Sequence, residues 1–219
     1  MLKIIFDFSK KYLKSSSQKP VETSNGPFNY VDFIQNMKKQ NKGLMSKKQY
    51  LAVAKKLSEA SPCNLLVFGL GEDSYLWNEI NNGGVTFFLE DSADWISKIN
   101  DGSLMVRHIK YNTEVSKHLE MGFDEEKLEL DLPDEVQNLE YDFIIVDAPL
   151  GHQPPRPYKG PGRMSSIYTA SKLLKFGGTA VIDDMGRPVE EKYAFHYFGK
   201  RNLVQLIQKK VGIFEFNIE

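Results

Sequence analysis

From residue 63 onward the chain alternates short, unbroken apolar runs with amphipathic stretches. "CNLLVFGLG", "GGVTFFLED", "LMVRHIKY", "YDFIIVDAP" and "GGTAVIDDM" are the apolar runs. Runs without polar alternation suit strands covered on both faces, as in a parallel sheet. Between them, "DSYLWNEINN", "SADWISKIN", "SSIYTASKLLKF" and "PVEEKYAFHYFGK" read as helices, the last opened by Pro188, which is favourable in a first turn. The pattern then changes. "NLVQLIQ" and "GIFEFNIE" alternate and are joined by "KKVG", which predicts a terminal antiparallel hairpin. The whole predicts an α/β fold, a Rossmann-like, mostly parallel seven-stranded sheet ending in an antiparallel hairpin, with right-handed crossovers.

Two helices are expected before the first strand. "NYVDFIQNMKKQ" carries Val31, Phe33, Ile34 and Met37 near helical spacing, and "SKKQYLAVAKKLSEA" has Ser46 placed to cap it and Pro62 to stop it. Lys14 to Phe28, rich in Ser, Pro, Gly and Asn, reads as a linker. Residues 1–44 are accordingly expected to be a helical segment and linker packing on a domain that spans 45–219.

Charge and cysteine content narrow the classes. A formal net charge of −1 argues against a generally basic nucleic-acid binder. The lysines at 38, 39, 42, 47, 48, 55 and 56 read as solvated helix faces. Cys63 is the sole cysteine, which excludes an internal disulfide and a cysteine zinc site and leaves a small buried hydrophobe. No stretch is long and apolar enough to span a bilayer, so a soluble, cytoplasmic protein is expected, its oligomeric state open.

A doubly wound sheet binds ligands at the carboxyl ends of its strands. Gly69-Leu70-Gly71 turns from the first strand into a helix, and Glu90 ends the second strand about twenty residues on, where a carboxylate accepts ribose hydroxyls. An adenosine cofactor follows. Ser74 stands where a dinucleotide turn has its third glycine, and Glu72 and Asp73 would repel a pyrophosphate. S-adenosylmethionine carries a positive sulfonium and no phosphate, so the acidic turn suits it better than a nicotinamide dinucleotide. The cofactor-binding candidates are Gly69, Leu70, Gly71, Ser74, Glu90 and Asp91.

"PCNLLVFGLGEDSYLWNEINNGGVTFFLED", "VDAPLG", "GPGRMSSIYTA" and "DDMGRPVEEKYA" together resemble the glucuronoxylan 4-O-methyltransferase family of plants, over roughly Met45 to Glu219 with the motifs in order. The resemblance implies a class I methyltransferase fold, S-adenosylmethionine as methyl donor, and a sugar hydroxyl of a polysaccharide as acceptor. The loop "HQPPRPYK" is longer here than in the family pattern, and Asp183-Asp184-Met185-Gly186-Arg187 replaces the family's ending of the fifth strand.

Methylating a hydroxyl requires alignment of oxygen, methyl carbon and sulfur, and removal of the proton. Asp147 and His152 are candidate bases, and Arg163, after Pro161-Gly162, is placed either to hold acceptor oxygens, to pair with the aspartates or to anchor its helix. Asp147, Asp183 and Asp184 at neighbouring strand ends are the candidate ligands of a divalent cation such as Mg, Mn or Co, which would lower the hydroxyl pKa. The same pattern is similar to that of catechol-type O-methyltransferases, the alternative activity. A nicotinamide oxidoreductase and a non-catalytic binding module are the remaining readings.

Overall fold

The computed structural model describes residues 28–40, 42–150 and 160–216. The expectations for the first 27 residues, and for the loop that carries His152, Arg156, Tyr158 and Lys159, lie outside the described residues. Two helices come first, α1 (Tyr30–Lys39) and α2 (Lys47–Ala60). Ser46 caps α2 as its sequence suggests, and the cap is a reciprocal capping box: its hydroxyl accepts from Gln49 N–H, and the Gln49 side chain accepts from Ser46 N–H.

The sheet strands are β1 (Asn64–Phe68), β2 (Val85–Glu90), β3 (Met105–His108), β4 (Tyr141–Val146), β5 (Leu174–Ile182), β6 (Leu203–Ile207) and β7 (Val211–Glu215). They run in the order β3-β2-β1-β4-β5-β7-β6. The first five are parallel, and β7 enters antiparallel between β5 and β6. Connecting helices are α3 (Ser74–Ile80), α4 (Ala93–Ile99), α8 (Met164–Leu173) and α9 (Pro188–Phe198), with three one-turn helices, α5 (His118–Met121), α6 (Glu125–Leu128) and α7 (Asp134–Gln137), between β3 and β4.

Strand period two divides the apolar runs between two cores. Leu66 and Phe68 of β1 face a core with Met164, Ile167, Tyr193 and Phe198 of α8 and α9. Leu65 and Val67 face the other, with Ile34, Tyr50, Leu57, Leu76 and Trp77 of α1, α2 and α3. Ile34 and Met37 of α1 share that core with Met45 and Tyr50. Each fully buried Leu or Phe contributes about 1.5–3 kcal/mol, which explains how β1 and β4 hold the centre.

Two boundaries differ from the pattern. β5 starts at Leu174 rather than at Gly177, with a register irregularity between Tyr141 and Phe143 on its partner. The terminal hairpin turns at Gln208 and Lys209, both with positive φ (52° and 53°), and Gly212 lies within β7. Two left-handed residues in sequence match the twist of the flanking strands, a geometry usually given to Asn-Gly. Gly212 is instead required by packing, since a Cβ there would lie 3.0 Å from Met185 Cγ and from a ring carbon of Phe214. Among the described residues no helix is long and apolar enough to cross a membrane.

Candidate active site

The strand tips form a row bound by continued ladder hydrogen bonds. Gly69 N–H donates to Leu89 O (2.8 Å), Asp147 N–H to Phe68 O (3.0 Å) and Asp183 N–H to Val146 O (3.0 Å). This fixes the glycine turn, Asp147 and Asp183 side by side. Gly69 has φ +114°, and a Cβ on it would lie 3.0 Å from Ala148 Cβ, so the turn presses directly on the β4 tip.

Leu70 is the pivot of the turn. Its N–H donates to Glu90 Oε2 (3.1 Å), and its carbonyl accepts from the Trp95 indole (2.7 Å). Glu90 Oε1 accepts from Ser92 N–H (3.0 Å). Each carboxylate oxygen of Glu90 thus retains acceptor capacity for a ribose hydroxyl. Burial pushes the Glu90 carboxyl above its ordinary range, against the two backbone donors. Ser74 is buried, and its hydroxyl accepts from Gly71 N–H (2.9 Å), so it braces the turn from within. Asp91 is exposed, and its carbonyl is 3.1 Å from His108 Nε2. Trp95 was not legible as part of this turn; an amphipathic pattern gives no sign that an indole N–H will find a carbonyl on another element.

Asp147, Asp183 and Asp184 do come together, and Arg163 stands between them. Arg163 Nη2 lies 3.1 Å from Asp147 Oδ1 and 2.9 Å from Asp184 Oδ2, and Nη1 lies 3.6 Å from Asp183 Oδ2. The Arg163 side chain is 5% exposed. It occupies the position before α8 without a side-chain capping bond, and its guanidinium is turned to the aspartates. Arg187 adds a contact at 2.9 Å to Asp184 Oδ2, and Lys210 stands 3.6 Å from both Asp183 Oδ2 and Asp184 Oδ1. Buried Glu190 lies 3.6 Å from Arg187 Nη1. Asp184 adopts φ +61°, which Asp tolerates better than most side chains.

Lys210 escapes a sequence reading because the antiparallel insertion of β7 beside β5 is what brings the hairpin turn to the strand tips. Burial pushes Asp147 well above the ordinary carboxylate range; the Arg163 guanidinium opposes this, and the Asp183 and Asp73 charges add to it. The Asp147 side chain remains 24% exposed and so reachable by a substrate.

Three aspartates are answered by three basic side chains, and the buried atoms left without a hydrogen-bond partner among the described residues include Nε and Nη1 of Arg163 and only one aspartate oxygen, Asp183 Oδ1. Among the described residues no group of three or more His, Cys, Asp or Glu has the arrangement to hold a metal. A hard cation needs several oxygens facing it, and a guanidinium already occupies that place. Among the described residues the arrangement does not fit a metal.

Of the other histidines, His196 stacks on Phe123 (3.6 Å between centroids, 5° between planes), a packing role. His108 Nε2 and His118 Nδ1 each lie within donating distance of a nearby backbone carbonyl, that of Asp91 and that of Val115.

A parallel β-sheet with this strand order, an antiparallel seventh strand and a glycine turn paired to an acidic β2 tip defines the class I, Rossmann-like methyltransferase fold. A solved structure of the MycE methyltransferase of the mycinamycin biosynthetic pathway, in complex with Mg and SAH, superposes with a TM-score of 0.53 at 13% identity, covering 89% of this chain and 55% of that one. The chain belongs to the IRX15/IRX15L/GXM family, whose model matches residues 48–129 and 117–214.

Among its relatives in Arabidopsis thaliana, glucuronoxylan 4-O-methyltransferase 3 is 37% identical, covering 66% of this chain and 54% of that protein. Arabinogalactan O-methyltransferase 2 is 33% identical, covering 69% and 60%. Protein IRREGULAR XYLEM 15 is 30% identical, covering 87% and 67%. The chain spans little more than half the length of the first two.

Proposed function

We propose that the chain transfers a methyl group from S-adenosylmethionine to a sugar hydroxyl of a glycan. The observation that carries this reading is Asp147, a partly accessible carboxylate of raised basicity, held by Arg163 directly beside the Gly69 turn. The family relatives named for glucuronoxylan and arabinogalactan O-methylation support a carbohydrate acceptor.

The Gly69–Gly71 turn and Glu90 hold the adenosine end of the donor. The acceptor hydroxyl lies over the β4 tip, where Asp147 takes its proton. The oxygen–carbon bond forms as the carbon–sulfur bond breaks, the electron pair passes to sulfur, and S-adenosylhomocysteine leaves. A base whose pKa is raised toward the working pH takes the proton more effectively. Arg163 keeps Asp147 in one orientation and offsets the charge of its neighbours, so that Asp147 ionises in spite of burial. His152 and the basic residues Arg156 and Lys159 belong to the loop that follows, and acceptor recognition is assigned to it.

The test is transfer of a labelled methyl group from S-adenosylmethionine to a panel of xylan, arabinogalactan and oligosaccharide acceptors, with catechols alongside and with divalent metal or chelator. Labelling of a saccharide supports the reading. Labelling of catechols alone replaces it with the small-molecule activity. Loss of saccharide methylation in chelator would restore a metal that the arrangement above does not accommodate.

A further inference from the structure

A cleft of about 540 Å³ lies between the segment that follows β3 and the one-turn helices α5 and α6. That volume is in the range of small-molecule sites. The segment after β3 contributes Tyr111 and Thr113 to its lining, α5 contributes Glu120 and Met121, and Glu126 and Glu129 come from α6 and the residue after it.

The cleft joins the row of strand tips through Tyr111. The Tyr111 hydroxyl is 3.0 Å from Ser166 Oγ, which is 2.9 Å from the carbonyl of Ala148, the residue after Asp147. A carbonyl can only accept, so Ser166 donates to Ala148 and accepts from Tyr111. Burial pushes the Tyr111 hydroxyl up, and the charges of Asp91, Glu90 and Arg163 reach it, which sets it between the β2 and β4 tips. The wall it belongs to is pinned to the residues leading into Arg163: Thr113 Oγ1 donates to Pro161 O and Val115 N–H to Gly160 O, both at 2.9 Å.

The cleft and its junction with the β4 tip make the site; its side chains select what enters. Lys117 pairs with Glu114 (3.4 Å) and Lys127 with Asp124 (2.7 Å), so the two lysines of the lining are answered. Glu120, Glu126 and Glu129 are exposed and make no ion pair among the described residues. Ionised carboxylates accept hydrogen bonds and donate none. The hydroxyls of an uncharged sugar supply donors and bring no charge, whereas a uronate or a phosphate would be repelled. Met121 and the Tyr111 ring offer apolar surface to the C–H face of a sugar ring.

We propose that this cleft is a second acceptor subsite, which holds an uncharged sugar residue next to the one that is methylated. This rests on the glycan reading and narrows it. The acceptor is an oligosaccharide or polymer, and the residue beside the target carries no carboxylate.

The experiment measures methyl transfer from S-adenosylmethionine to tetrasaccharides prepared from glucuronoxylan and from arabinogalactan, and to the methyl glycoside of each single sugar they contain. Wild type is expected to show a KM for a tetrasaccharide about tenfold below that for the matching glycoside. The double variant Glu120→Ala/Glu129→Ala alters two exposed side chains and is expected to fold. In it the tetrasaccharide KM is expected to rise about tenfold, the lower range for hydrogen bonds to charged groups, with kcat, the glycoside KM and the affinity for S-adenosylhomocysteine each within about twofold. Equal KM values for tetrasaccharide and glycoside in wild type would overturn the proposal. So would a variant that affects both acceptors alike, or neither. Weakened S-adenosylhomocysteine binding in the variant would place the cofactor in the cleft and overturn it as well. Wild type that methylates none of these saccharides would instead overturn the glycan reading, and this inference with it.

Discussion

Arg163 reaches Asp147 Oδ1 at 3.1 Å and Asp184 Oδ2 at 2.9 Å with the same nitrogen, tying the tips of β4 and β5 through one guanidinium. Removing it takes from Asp147 the one ion pair it makes among the described residues and leaves Asp183 and Asp184 to Lys210 and Arg187. Arg163→Ala is expected to lower stability by about 3–5 kcal/mol, the cost of breaking a buried pair. Arg163→Lys, which keeps the charge and loses the planar fork, is expected to recover part of this. Urea unfolding of the two variants is the check; equal midpoints for Ala and wild type would contradict the assignment.

Asp147→Asn keeps the shape of the side chain and its contact with Arg163 Nη2, and loses the base. A fall in kcat of about 10²–10⁴ is expected, with affinity for S-adenosylhomocysteine largely kept. Because Asp147 is raised above the ordinary carboxylate range, kcat/KM of the wild type should decline with falling pH before that range is reached. Residual activity of Asp147→Asn should lack that decline. An unaltered pH profile in the variant would remove Asp147 from the role of base.

Gly69 combines φ +114° with contact against the β4 tip. Gly69→Ala would meet both strain and Ala148, and is expected to cost about 1–3 kcal/mol and to abolish measurable cofactor binding. Thermal unfolding with and without S-adenosylhomocysteine reads both effects. A variant that is as stable as wild type and still stabilised by the ligand would show that the turn has room.

Asp73, Glu90 and Asp147 are all raised chiefly by burial. The folded protein therefore binds protons more tightly than the unfolded chain, from the ordinary carboxylate range up to the raised values. Stability contributed by these groups is full at the acid side of that window and is lost as pH rises through it. Asp73→Asn should flatten this decline. Denaturation midpoints of wild type and variant at several pH values provide the measurement, and parallel curves would refute it.

The sheet was legible because its strands are buried on both faces, so Leu65–Phe68 and Phe143–Val146 read as runs with no polar interruption. The tips followed from topology alone: a strand that ends in Asp147 beside one that ends in Asp183 must bring those carboxylates together. What fills the space between them did not follow. Metal and guanidinium answer the same need for positive charge, and only the placement of the loop before α8 distinguishes them. The partner from afar was equally hidden: Lys210 depends on a hairpin turn made by two non-glycine residues with positive φ.

Ser46, which opens α2, donates its hydroxyl to Gln208 (2.5 Å), two residues before Lys210 in the hairpin turn. The helix that carries Tyr50 and the hairpin that carries Lys210 are thus clasped across the sheet, although 162 positions separate them in sequence. During synthesis the glycine turn, Glu90 and Asp147 emerge first, and the neutralising side chain at 210 and the clasp on α2 arrive only with the hairpin. Until then the acidic strand tips lack one of their three basic partners.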